Sequence, residues 1–439
     1  MVTKHKMKNT EMGFIPEDWD ICSIDNEFTF IKSNSLSREQ LNYAHGSVAN
    51  IHYGDILTKF GENIDIKRTQ LPLINHSAEF TPSPKDILKT GDIILADTAE
   101  DETAGKACEV IGITNESIVA GLHTIAMRPK QIHFAPGYLG YTLNASYYHD
   151  QLRPLMQGTK VISISKKALQ ETCIIYPRDI NEQRAIVNAL TDIDITIARL
   201  KEAIEKKKQI KEGAMQQLLT GKVRLKGFKE PWVEKSMMEI GQTYNGITGK
   251  GKADFGHGNS RYITFLNILN NPSINLDELE SVDIDPINDG QNEVRKGDLF
   301  FNTSSETPED VGTCSTLMHD VENVYLNSFC FGFRLKDSEI SGLFMSYYFR
   351  SEIGRREMAT LAQGATRYNL SKENFYKIIV RVPKTKEEQN AITKVLATMD
   401  SEISALEAER DKYISIKQGM MQKLLTGQIR LPQSCLKEE

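Results

Sequence analysis

The sequence predicts an α+β fold built twice over: two globular mixed α/β domains and two long antiparallel helices, related as a pseudo-two-fold tandem repeat. Three observations carry this expectation. The chain has 439 residues, beyond the roughly 250–300 at which a single hydrophobic core stops growing. It resembles itself at an offset of 206 residues, and fixed-period self-similarity is the mark of duplication. The stretches that repeat best carry apolar residues at steps of three and four, the period of one helix face.

The repeat is clearest where residues 177–225 lie over 383–431. Without a gap, 21 of 49 positions are identical, including Glu182/Glu388, Gln183/Gln389, Leu190/Leu396, Gly213/Gly419 and the Leu-Leu-Thr-Gly blocks at 218–221 and 424–427. Upstream the same offset matches Gly91-Asp92 with Gly297-Asp298, Arg128 with Arg334, Gln157-Gly158 with Gln363-Gly364 and Ser165-Lys166 with Ser371-Lys372. Each unit thus has a constant piece and a variable piece. The boundaries are a tail at 1–13, a first variable domain at 14–176, a central long-helix segment at 177–227, a second variable domain at 228–382, a C-terminal long-helix segment at 383–431 and a tail at 432–439. The middle junction, LTGKVRLKGFKEPW, would be recreated by joining LTGQIRLP at the C-terminus to MGFIPEDW near the N-terminus. A chain that closes on itself reads this way.

In the first constant segment Ile186, Leu190, Ile193, Ile197, Leu200 and Ile204 follow steps of 4, 3, 4, 3 and 4. In the second, Leu396, Met399, Ile403 and Leu406 repeat the pattern. No proline interrupts either stretch, and Gly221 and Gly427 stand where a C-terminal cap belongs. A helix over 181–220 would be about 60 Å long. Its narrow apolar seam needs a partner helix, and the other repeat is the nearest one available. Leu190, Ile197, Leu200, Leu396, Ile403 and Leu406 are the expected packing residues of that pair. Burying six such side chains contributes on the order of 10 kcal/mol before chain entropy is subtracted. Gly213 and Gly419 are expected to allow close helix approach or a bend.

In the variable domains GDIILAD (91–97) and GDLFFNT (297–303) read as short strands entered through a Gly-Asp turn. TCIIYP and KIIVRVP read as strands ending just before each long helix. The stretches 138–152 and 343–358 read as amphipathic helices. Asp92 and Asp298 read as turn residues.

The formal charge is −6, with 53 Lys+Arg against 59 Asp+Glu, which excludes a generic polycation that coats nucleic acid by charge alone. No apolar run approaches the roughly 18 residues of a membrane helix, and the N-terminal MVTKHKMKNTEMGF lacks the apolar stretch of a secretory signal. The six cysteines, at 22, 108, 173, 314, 330 and 435, form no C-x-x-C pair, so a cytoplasmic, reducing setting is expected. No phosphate-binding loop, HExxH, G-x-S-x-G or zinc-ligand spacing is present. No catalytic or metal-binding residue is therefore expected.

Polar, glycine-rich loops with basic and amide residues are present instead. Residues 245–262 read as a loop carrying Lys250, Lys252, His257, Asn259 and Arg261. Residues 157–165 and 363–371 are equivalent loops bearing Lys160 and Arg367. Residues 34–40 and 58–69 supply Arg38, Lys59, Lys67 and Arg68. Lys and Arg suit phosphates, and Arg, Asn and Gln suit base edges. Lys59, Lys160, Lys250, Lys252, Arg261 and Arg367 are the candidate DNA contacts.

The layout resembles the specificity subunit of type I restriction-modification systems. The features that carry the resemblance are the Pro/Trp entries IPEDW (15–19) and EPW (230–232), each followed by P-x(4)-E-Q-x-x-I and a long helix ending LLTG. The resemblance implies that each variable domain is a target recognition domain reading one half of a split DNA sequence, with the helices as a spacer. It implies two modification (methyltransferase) subunits that bind S-adenosylmethionine and methylate adenine N6, and restriction (motor and nuclease) subunits that use ATP and Mg. This chain itself would hold no cofactor and perform no chemistry. Two alternatives differ in kind. A self-sufficient methyltransferase or nuclease would need a motif that the sequence lacks. A coiled-coil scaffold or solitary DNA-binding protein would lack active partners.

Overall fold

A computed structural model describes residues 6–432 except 79, 132, 365 and 366; Cys435 and most of the C-terminal tail lie outside the described residues. The chain divides into two compact units: one comprises residues up to Leu200 together with those from Glu409 on, the other Lys201–Ala408.

In the first unit Trp19–Ser23 pairs antiparallel with Cys173–Pro177, so the strand that opens the domain lies beside the strand that leaves it. The central sheet has the order Phe28–Ile31, Thr124–Pro129, Ile93–Ala96, Ala107–Ile111 and Asn63–Asp65, the last pair parallel. Ile93–Ala96 is buried on both faces, which explains its unbroken apolar run. A second sheet joins Ile118–Ala120, Ala49–Ile51, Leu73–Ile74 and Leu41–Asn42.

The second unit repeats the plan. Trp232–Ser236 pairs with Ile379–Pro383. The sheet runs Gly241–Asn245, Cys330–Leu335, Leu299–Asn302 and Cys314–Thr316. A smaller sheet joins Glu280–Val282, Phe255–Ile263 and Val324–Leu326. Phe301, Phe331, Phe333 and Phe349 surround Phe375 in its core.

The two long helices are Ile180–Leu218 and Lys386–Leu424, 39 residues each, or about 58 Å. Within the second unit, Lys207 pairs with Glu402 and Lys211 with Asp400, so one helix descends in number as the other rises. Within the first unit, Lys417 pairs with Asp194 and, just beyond the helix end, Arg430 with Glu182, so the numbers again run in opposite directions. The helices are therefore antiparallel in both units. Gly221 and Gly427 end them with φ of +71° and +68°. A Cβ on Gly427 would lie 2.4 Å from Pro16, and one on Gly221 3.2 Å from Trp232. Each helix end is thus seated on the Pro/Trp entry strand of its own unit, as the closure of the sequence on itself predicts.

Three expectations change. Residues 138–152 form two helices, Tyr138–Leu143 and Ser146–Leu152. Asn144 breaks the run because its amide exchanges hydrogen bonds with the Ala107 backbone, at 3.1 and 2.7 Å. Likewise Gly342–Arg350 and Glu352–Leu361 are separated at Ser351, whose hydroxyl donates to the Tyr348 carbonyl at 2.6 Å. Gly213 and Gly419 do not serve close approach, since among the described residues a Cβ on either would meet nothing within 4 Å. The second half of 245–262 is a strand with a bulge between Phe255 and Ser260, hidden in the sequence by its small polar residues.

Candidate nucleic-acid interface

Each unit carries a hairpin beyond its buried Gly-Asp strand. Gln157 and Ser163 exchange backbone hydrogen bonds at 3.0 and 2.8 Å, and Gln363 and Asn369 do so at 2.9 and 2.8 Å. The tight return requires glycine. Gly158 and Gly364 have φ of +110° and +141°, and a Cβ there would sit about 2 Å from the carbonyls of Val161 and Arg367. The hairpins pair with Thr98–Ala99 and with Ser304–Ser305. Lys160 and Arg367 are exposed on them, and neither side chain has a partner among the described residues.

The other basic candidates differ in how much of their charge is free. Lys59 donates to Asp55 at 2.9 Å and to the Tyr43 hydroxyl at 2.9 Å, while Arg38 also pairs with Asp55. Two exposed cations on one buried carboxylate leave this cluster net positive. Lys250 is committed to Asp289 at 2.7 Å, a contact that raises the Lys250 pKa and lowers that of Asp289. Lys252 is exposed and unpaired among the described residues. Arg261 donates to the carbonyls of Leu276 and Leu279, each at 3.1 Å, which ties the 276–279 turn to its strand. Lys250 and Lys252 share one loop; Lys160 and Arg367 stand on separate, equivalent hairpins.

Of the helix residues, Leu190, Ile197, Leu396 and Ile403 are buried, whereas Leu200 and Leu406 are half-buried. Leu190 packs among Ile15, Trp19, Tyr138 and Met421, and Leu396 among Leu218, Phe344 and Val380. Both therefore join a domain core to the helix pair.

The sequence reading missed a polar frame that recurs at the 206-residue offset. Asp92 and Asp298 accept the turn amides of Lys89 and Arg295, at 2.7 and 2.9 Å, as turn residues would. Both are also buried and clamped by Arg128 and Arg334. Glu182 accepts from Arg430, and Glu388 from Arg224 at 2.6 and 2.7 Å. Tyr141 donates to Asp194 at 2.6 Å and Tyr347 to Asp400 at 2.7 Å, and the same carboxylates take Lys417 and Lys211. Burial, then the neighbouring carboxylate, pushes both phenols well above their ordinary range. The signal was available: every residue whose side chain takes part in this frame is identical in the two copies.

The frame is constant, whereas the basic hairpins and loops it holds differ, which is how a protein with two distinct DNA-reading surfaces on one scaffold is built. The model of the type I restriction modification DNA specificity domain matches residues 17–212 and again 229–415, and the chain belongs to that family. It is the sequence-specific DNA-recognition subunit of a type I restriction-modification system, and as such not the catalytic one. It is 24% identical over 448 residues to a Methanocaldococcus jannaschii chain carrying the name of the MjaX type I restriction enzyme specificity subunit, covering 98% of this chain and 97% of that one. Identity to the MjaVIII specificity subunit of the same organism is also 24%, covering 95% and 94%. The crystal structure of a type I S subunit from M. genitalium has a similar fold, with 16% identity, a TM-score of 0.54 and coverage of 97% and 99%. A chain from a study of type I complex assembly and conformational transition matches at 14% identity, TM-score 0.57, covering 94% and 99%. Among the described residues no helix is long and apolar enough to cross a membrane, and no cluster of His, Cys, Asp and Glu could hold a metal.

Proposed function

We propose that this chain reads a split, asymmetric DNA target, one half with each recognition domain, in the cytoplasm. The single observation that carries this is a duplicated frame holding unlike reading loops: GTKVIS and GATRYN in the hairpins, with different loops around Lys59 and Lys252. Unlike surfaces on equivalent domains choose unlike half-sites. Lys160, Arg367, Lys252 and the Arg38/Lys59 cluster contact phosphates, while Lys250 holds the loop that presents Lys252, and Arg261 braces the neighbouring 276–279 turn. The helix pair, about 58 Å long, fixes the gap between half-sites; B-DNA turns once in roughly 34–36 Å. Two modification subunits, one per repeat, and the restriction subunits assemble on this chain. The acidic net charge suits weak DNA binding alone and tighter, salt-sensitive binding in the assembly.

Sequencing modified bases in the source genome with and without this gene tests the proposal. Loss of N6-methyladenine at one split, asymmetric motif is expected. An unchanged methylome in cells whose modification subunits are expressed overturns it.

A further inference from the structure

The loop between Ile118–Ala120 and Thr124–Pro129, consecutive strands of different sheets, is Gly121-Leu122-His123; its counterpart between Val324–Leu326 and Cys330–Leu335, also in different sheets, is Asn327-Ser328-Phe329. The two loops align without a gap and share no residue. They agree in one property: the third position is an aromatic ring turned to solvent. The His123 side chain is 50% exposed and Phe329 is 59% exposed. A single exposed apolar ring needs no explanation; one recurring at the same place in two divergent domains does.

Both rings stand on rigid supports. The Phe329 carbonyl accepts the Thr303 amide at 3.0 Å and the Thr303 hydroxyl at 2.8 Å, and its own amide donates to Asn327 Oδ1 at 2.8 Å. His123 holds a φ of +52°, which L residues rarely adopt, while its carbonyl accepts the Asp97 amide at 3.1 Å. Its imidazole lies 3.3 Å from Asp97 and edge-on to Tyr53 at 5.3 Å. The same backbone links reach the basic hairpins: Ile164 donates to the Asp97 carbonyl at 2.8 Å and Leu370 to the Thr303 carbonyl at 2.9 Å. Each unit thus sets an exposed ring beside a hairpin that carries an unpaired cation, Lys160 or Arg367. Cations for the backbone and an apolar ring for the base edges and thymine methyls of a groove are the two halves of a duplex-reading surface.

We infer that His123 and Phe329 are equivalent ring contacts through which each recognition domain meets the bases of its own half-site. The inference rests on the proposed two-domain DNA reading and adds specificity-determining residues to it. The ring, and not imidazole charge, is what the two positions share. His123→Phe must therefore preserve what His123→Ala loses.

The test uses the intact complex of this chain with its modification subunits, at fixed salt. DNA affinity is measured on a duplex bearing the methylated motif and on duplexes with one half-site scrambled. Phe329→Ala is expected to weaken cognate binding by about 5- to 150-fold, the span that losing one base-pair contact costs in a specific duplex complex, and to lose discrimination at one half-site only. His123→Ala does the same at the other half-site. Phe329→Tyr and His123→Phe stay close to wild type, and all four variants melt as wild type does. If the wild-type complex discriminates and both alanine variants match it, the ring contacts are wrong while two-domain reading stands. A His123→Phe variant that falls as far as His123→Ala also overturns the inference. If wild type does not discriminate between half-sites, the underlying reading fails and the ring contacts fail with it.

Discussion

Replacing Arg224 by alanine tests the constant frame where its energetics are most exposed. Glu388 is buried, its side chain 1% exposed, and Arg224 satisfies it through Nε and Nη2 at 2.6 and 2.7 Å. Once Arg224 is gone, the Trp232 indole, at 3.4 Å, is the one hydrogen-bond donor left to the carboxylate among the described residues. Removing one partner of a buried pair costs about 3–5 kcal/mol, most of it from the charge left behind. Arg224 is 27% exposed and water can reach that end of the pair, so the low end, about 3 kcal/mol, applies. For a unit of this size 1 kcal/mol shifts Tm by about 2–4 °C, giving a fall of about 6–12 °C. Differential scanning calorimetry of the full chain would show it in the transition of the second unit. Adding Glu388→Gln removes the stranded charge and should recover part of the loss. A shift of under about 1 °C for Arg224→Ala would refute the reasoning and put the pair with solvent-exposed bridges that contribute little.

Three further outcomes follow from the same geometry. Glu109 is fully buried, and burial raises its pKa to about 7 although the amides of Gly137 and Gly140 donate to it; the folded state then holds the extra proton, so stability falls as pH rises from about 4.5 to 7 and levels off above. Glu109→Gln should flatten that slope, worth roughly 3 kcal/mol at 1.36 kcal/mol per pKa unit, in denaturant titrations across this range. Lys160→Ala and Arg367→Ala in the assembled complex should each lower the salt slope of log affinity by about 1 with the chosen motif unchanged; an unaltered slope would remove the hairpins from the phosphate contact. Gly427→Ala forces a Cβ against Pro16 at a positive φ, and should lower stability by more than about 1 kcal/mol in denaturant unfolding, whereas Gly419→Ala on the open helix face should stabilise by up to about 1 kcal/mol.

What the sequence revealed and what it hid divide along physical lines. The long helices were legible because an apolar seam of period 3.5 and a capping glycine are local signals, and Gly221 and Gly427 do end them in the left-handed conformation. The strands GDIILAD and GDLFFNT were legible because buried strands are continuously apolar. The strand Phe255–Ile263 was not, since four of its first five residues face solvent and only Ser260, Tyr262 and Ile263 are buried. The commitment of Lys250 to Asp289 depends on two distant segments meeting, and no local pattern encodes that. Asp92 with Arg128, or Glu182 with Arg430, is long-range too. Duplication offered a way in, because a pair kept in both copies of a diverged repeat is already a statement about contact.

The seating of Gly427 on Pro16 has a consequence for the order in which the two units are completed on the ribosome. The second unit is one continuous stretch, Lys201–Ala408, and all of its parts have been synthesised before the first unit resumes at Glu409. The first unit is discontinuous. Its entry segment, with Pro16 and Trp19, waits for a helix end translated only after the whole second unit, so Ile15, Trp19 and Leu190 lack their cover of Met421, Leu424 and Leu425 until that unit has been made. The unit begun before the other is completed after it, and a nascent chain stalled before Glu409 should present that open apolar seat to chaperones while its second unit is already closed.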